Sequence, residues 1–178
     1  MIRSNPQGDL PAIDKSAFID PTAVVIGKVT IGRNVLVAPG AVIRADETGS
    51  SISIGDDCNV QDRVIIHALG DSAVRIGKNT SLSHGCIVHG PCRIGTGCFI
   101  GFGSVIFKAT LHERVFVRFL AVVSGVVIPG GRLVGDKEVI DTADKAKKLP
   151  FAPRESKKFA QNVLKANREL AKGYTKER

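Results

Sequence analysis

Ile76 to Phe107 reads IGKNTSLSHGCIVHGPCRIGTGCFIGFGSVIF, and its apolar residues fall at Ile76, Leu82, Val88, Ile94, Ile100 and Ile106. The interval is six residues throughout. An amphipathic helix repeats at 3.6 and a half-buried strand at two, so neither accounts for this beat. Working outward, the same interval links Ile19, Val25, Ile31, Val37 and Ile43, then Ile54, Val60 and Ile66. After one five-residue step it resumes at Leu111, Val117 and Val123. Two residues before many of these positions stands a small or β-branched side chain (Ala23, Ala41, Thr80, Ser104, Ala109, Ala121), and Gly follows the apolar residue in IGR, IGD, IGK, IGT and IGF. A unit of this kind makes one short strand and one turn, and it buries its apolar residue only by stacking on its neighbours.

Three such units make a triangular coil of about 18 residues, and seventeen apolar beats make nearly six coils. The pattern resembles the left-handed parallel β-helix of hexapeptide-repeat proteins, an exception to the right-handed crossover rule. The expected fold is therefore an all-β solenoid, a left-handed parallel β-helix of hexapeptide repeats with a C-terminal α-helix. The beat dissolves after Val127 into a polar segment. A helix begins near Pro153 to Ser156, with an apolar stripe of Phe159, Val163, Ala166, Leu170 and Tyr174 that packs along the outside of the prism, on its own subunit or a neighbour. The expected division is residues 1–135 for the β-helix and 136–178 for the connecting segment and helix, in one domain overall.

Composition agrees. The chain has 178 residues, nineteen glycines, one tyrosine and no tryptophan, which suits a narrow interior filled by Val, Ile and Ala. No apolar run reaches the length of a membrane span and the N-terminus lacks the apolar stretch of a secretory signal, so a cytoplasmic location is expected. Residues 132–178 carry thirteen Lys/Arg against seven Asp/Glu, whereas the rest carries twelve against ten. Such a basic tail is either a solvated helix face or a surface for nucleic acid or another polyanion; no aromatic interleaving supports nucleic acid. Cys58, Cys86, Cys92 and Cys98 each lie two residues before an apolar beat, so they should point inward as small core thiols. Cys58 and Cys98 share a side but lie two coils apart, about 9.6 Å at strand spacing, too far for a disulfide.

Two interruptions position the histidines. Ile43 to Ile54 is eleven residues and Ile66 to Ile76 is ten, and counting by side puts Ile43, Ile66 and Val88 on one side of three successive coils. The residues that follow, Arg44, His67 and His89, should then form one outward column, with the two imidazoles about 4.8 Å apart along the axis. His84 belongs to another corner, directly above Asp62. If the first column of one subunit meets the second column of a copy, His84 joins the neighbour's His67 and His89, and Asp62 meets the neighbour's Arg44. That contact is heterologous, and a triangular prism lets it close as a ring of three. Three His ligands with an open fourth position describe a catalytic zinc-type site. His112 has no such partners and is expected at the surface.

At RADE (44–47), NVQDRVIIHAL (59–69), SLSHGCIVHGP (81–91) and FIGFGSVIF (99–107), and on through VVIPGG and KLP to ELAKGY, the chain resembles the gamma class of carbonic anhydrases. The resemblance implies a homotrimer with zinc or ferrous iron (Zn2+ or Fe2+), one ion per subunit interface, bound by His67 and His89 of one subunit and His84 of the next. It implies that Arg44, Asp46 and Asp62 tie neighbouring subunits together. Gln61 matches a residue at the metal's water, Asn59 lies in the same motif, Glu47 matches a carboxylate at the rim, and Asn167 matches an asparagine that helps place carbon dioxide. The implied reaction is reversible hydration of carbon dioxide to bicarbonate, with hydroxide on the metal as nucleophile. The sequence departs from the family at Gly70, where the family has a glutamate proton shuttle in an acidic loop, and at Lys165, where it has an active-site tyrosine. A weakly active or inactive metal-binding scaffold or assembly subunit of the same family, and a hexapeptide acyltransferase, are the competing readings.

Overall fold

Every coil turns on residues in the left-handed region of backbone space. At one corner Asn34, Asp57, Asn79, Gly97 and Arg114 all have φ between 54° and 71°, one above another. Asn, Asp and Gly enter that region most readily, which is why they recur there. At Gly27, where φ is 83°, crowding adds to the same demand: a Cβ there would lie 1.9 Å from the Ala45 carbonyl oxygen of the next coil.

The computed structural model describes residues 1–176; residues 177–178, the end of the expected C-terminal segment, lie outside the described residues. Its strands form three parallel sheets of eight, seven and seven members, the three sides of a left-handed prism. The first sheet runs from Ile2–Arg3 to Val139–Ile140, the second from Ala12–Ile13 to Val127–Ile128, and the third from Phe18–Ile19 to Leu133–Val134. The solenoid thus extends beyond Val127: Ile128, Val134 and Ile140 are buried and continue the inner column, so one more coil stands where the apolar pattern is thinned by PGG and GDKE. One core cluster fills the interior from Ala17 to Leu149, and all four cysteines are buried and unpaired.

The outward rows of the three sheets differ in chemistry. On the second sheet the row is Thr30, Ser53, Arg75, Arg93, Thr110 and Val127. On the third, the row from Phe18 to Phe116 is buried. On the first, Val24, Val42, Ile65, Ile87, Val105, Val122 and Val139 lie in register without a polar residue among them. None of these seven is buried in the chain, and Ile65 and Val139 are 40% and 48% exposed.

Helix α1, Ala143–Lys148, is capped by Thr142 and lays Ala146 onto the last coil, where Leu149 follows it into the core. Helix α2, Arg154–Lys176, runs back down the third sheet of its own chain. Its inward face matches the expected stripe in part. Val163 turns toward the strands with Ala160, Asn167 and Ala171, and Phe159 and Tyr174 lay their rings on Phe99 and Phe18, whereas Ala166 and Leu170 are exposed. Small residues let α2 approach closely, and the side-chain amide of Asn167 has a partner on the sheet, which the apolar periodicity does not register.

Candidate metal-binding site

Strand register stacks the first column. Arg44, His67 and His89 are Cα partners on three successive coils. His67 Nδ1 and His89 Nε2 are 3.1 Å apart, so one ring donates a hydrogen bond to the other. His67 Nε2 and His89 Nδ1 are buried without a hydrogen-bond partner. The two inserted loops, which follow Ala45 and His67, come together at this corner. They bring Asp46 Oδ1 and Glu47 Oε1 each to 3.5 Å from His67 Nε2. The Gly70 amide donates to Glu47 Oε2 at 2.6 Å, and Arg44 Nε contacts Asp46 Oδ2 at 3.1 Å. Buried imidazole nitrogens left unpaired beside carboxylates are costly for a protein and suited to a cation.

The second column stands at the corner between the third and first sheets. His84 Nδ1 and Asp62 Oδ2 are 2.7 Å apart, which orients the half-exposed ring. Next to it runs a chain of amides. Gln61 Nε2 donates to Asn167 Oδ1 at 2.6 Å and to Asn59 Oδ1 at 3.3 Å, and Asn59 donates to Ser81 Oγ at 2.9 Å. Both protons of the Gln61 amide are thereby engaged, and its Oε1 has no partner in the chain. Phe102 packs on His84 with ring centroids at 5.4 Å, and Phe107 on His89 at 5.5 Å.

The ten residues singled out in the sequence thus gather in two groups: Arg44, Asp46, Glu47, His67 and His89 at one corner, Asn59, Gln61, Asp62, His84 and Asn167 at another. Among the described residues no hydrogen bond or ion pair joins the two groups, and no three His, Cys, Asp or Glu side chains stand in an arrangement that would hold a metal ion within one chain. The donor set suits a divalent cation: two imidazoles at one corner, each with a ring nitrogen that has no partner among the described residues, and a third imidazole at the next corner. The thiols do not compete. Burial pushes Cys58, Cys86 and Cys98 up to about 12 and raises Cys92 as well. His112 is exposed.

Sequence reasoning missed Ser81, the two phenylalanines and the aliphatic row of the first sheet. The row had a signal: at every third beat the inward residue is preceded by a second apolar one, in VV, VI, II, IV, VI, VV and VI. Counting only inward residues hid it.

The model of the bacterial transferase hexapeptide (six repeats) matches residues 12–45 and 73–108. The carbonic anhydrase of Methanosarcina thermophila is 39% identical, across 96% of this chain and 77% of that protein. Carboxysome assembly protein CcmM of a Nostoc species is 38% identical across 91% of this chain, which spans only 31% of that longer protein. Among solved structures, a hexapeptide transferase family protein from Anaplasma phagocytophilum superposes with a TM-score of 0.84 at 27% identity, over 98% of both chains.

Proposed function

The chain belongs to the gamma-class carbonic anhydrase family of hexapeptide-repeat proteins, and from that premise we propose that it is a metal-dependent carbonic anhydrase that assembles as a homotrimer. The observation that carries the reading is the split donor set. His67 and His89, 3.1 Å apart with a free nitrogen on each ring, flank one edge of the first sheet, and His84, braced by Asp62, flanks the other. Between those edges lies the aliphatic row from Val24 to Val139. A second copy seated on that face covers the row and brings its His84 to this chain's His67 and His89, and three copies close the ring.

His67, His89 and the neighbour's His84 would hold Zn2+ or Fe2+, one ion per interface. A divalent cation there supplies Lewis acidity, enough to bring a water's pKa to about 7. The chain's own residues do the rest. Gln61, its amide protons held by Asn59 and Asn167, presents Oε1 to accept a hydrogen bond from the attacking oxygen and so fixes its orientation. Phe102 and Phe107 give the site apolar walls suited to carbon dioxide. Glu47, 45% exposed and anchored by the Gly70 amide, is placed to take a proton and pass it to solvent. Gly70 carries no carboxylate, so Glu47 works alone and buffer becomes a co-acceptor.

The test is stopped-flow hydration of carbon dioxide by protein purified without oxygen and loaded with zinc or ferrous iron. The expected result is metal-dependent turnover that rises steeply with buffer concentration and disappears in His84→Ala. Turnover indifferent to buffer would remove Glu47 from the role given to it. The match to a carboxysome assembly protein favours a second reading, a trimeric scaffold whose metal is structural. A metal-replete trimer without hydration activity, in which His84→Ala loses only metal and trimer stability, would establish that reading instead. The transferase-named neighbour keeps acyl transfer as a third, to be tested with acetyl donors under the same conditions.

A further inference from the structure

The prism has a third corner, between the second and third sheets, and it carries neither histidine column. Here the left-handed turns at Asn79, Gly97 and Arg114 face the underside of α2 and border a half-open cavity of about 450 Å3. Its size is that of a small-molecule site. Arg114, Lys157, Lys165 and Arg168 all line it, and no carboxylate does. Its floor is apolar, with Phe116 and Leu164 among the lining residues. Arg168 is fixed in place from behind: its Nε lies 3.2 Å from Asp57 Oδ1, and its Nη2 donates to Asn79 Oδ1. The side chains of Arg114, Lys157 and Lys165 have no hydrogen-bond or ion-pair partner among the described residues. Four basic side chains border this one space, and three of them have no counter-charge among the described residues to compete with an incoming anion. Lys157, Lys165 and Arg168 belong to the basic C-terminal region, whose excess charge the metal site does not use.

We propose that this cavity binds a small organic phosphate, the phosphate among Arg114, Lys157, Lys165 and Arg168 and the organic body on the apolar floor. Arginine matches phosphate oxygens in a fork and lysine adds point charge, whereas the floor rewards an apolar substituent. The site is independent of the metal, which sits at the other two corners.

Calorimetric titration of the full chain with phenyl phosphate and with inorganic phosphate, at low salt, tests the proposal. Phenyl phosphate should bind one per chain and more tightly than inorganic phosphate, with affinity falling as salt rises. Arg114→Ala with Lys157→Ala should weaken it by about tenfold or more, each lost charge-assisted hydrogen bond costing several-fold. Lys147→Ala with Lys148→Ala on α1, outside the cavity, should leave it unchanged. Both pairs lie on exposed positions, and a melting curve checks that they fold; Lys165→Glu, a single exposed change on α2, replaces the first pair if it does not. Absence of binding, equal affinity for the two probes, or equal loss in the α1 control would overturn the site and reduce the feature to diffuse positive charge.

Discussion

Asp62 shows how much one residue's position decides. Its carboxylate lies one coil below His84 and holds Nδ1 at 2.7 Å, which leaves the ring's other nitrogen for the proposed metal. Asp62→Asn should keep the fold but lower metal affinity by about 10–100-fold, the usual cost of losing such a partner, as read by metal titration. The cysteines make a different prediction. Burial pushes three thiols from 9.0 up to about 12, so the folded state holds these protons more tightly than the unfolded chain. Their contribution is complete below about pH 9 and is lost as pH rises toward 12, at about 1.4 kcal/mol per pH unit for each thiol. Denaturant melts between pH 8 and 11 should show stability falling steeply, and Cys86→Ala should flatten the slope. At this scale the sequence was legible wherever a residue's role followed from its place in the count: the cysteines point inward, and Arg44, His67 and His89 stack. The amide chain through Ser81 was not legible, because a polar residue at an outward position reads as surface until α2 is known to cover it.

A single short strand has almost no stability of its own, and each is held by its two neighbours along the prism. Ile100 illustrates the dependence: it is fully buried in the middle of the stack, with Leu82 and Val117 as its Cα partners on the coils to either side. Ile100→Ala should cost about 2–5 kcal/mol in chemical denaturation, with little room for collapse in a column of fixed spacing. The strands were readable because their period is enforced by packing. The last coil was not, since its inward residues Ile128, Val134 and Ile140 are separated by glycines and charges that suit turns. Helix α2 was located correctly, and its apolar stripe was right in part: Phe159, Val163 and Tyr174 meet the prism, and Ala166 and Leu170 do not. Hydrophobic periodicity assigned Leu170 to the interface, but Asn167 binds Gln61 and Ala171 packs against Phe18 and Leu36. At that turn of the helix a polar contact and a close approach outweighed the apolar residue.

For the molecule as a whole, the aliphatic face of the first sheet bears on assembly. Ile65, 40% exposed and next to His67 in sequence by two residues, lies in the middle of that row. If the proposed trimer forms through this face, Ile65→Glu should dissociate it in analytical ultracentrifugation, and metal content should fall with it, because neither half of the donor set is sufficient alone. If the protein stays trimeric and keeps its metal, the face is not the interface. The family resemblance supplied the expectation of three subunits; the feature that supports the proposal, a continuous aliphatic row flanked by the two histidine columns, became visible only in the folded chain. The path of α2 has a separate consequence. The helix starts beside the upper coils, where Phe159 meets Phe99 and Phe116, and ends on the lowest, where Tyr174 meets Phe18 with ring centroids 4.7 Å apart. A plain stack of coils can fray from either end, one rung at a time, as nearest-neighbour energetics dictate. Here the two ends are fastened to each other, so loosening the first coil also releases the last helix, and a structure that is linear in its contacts unfolds as a closed circuit.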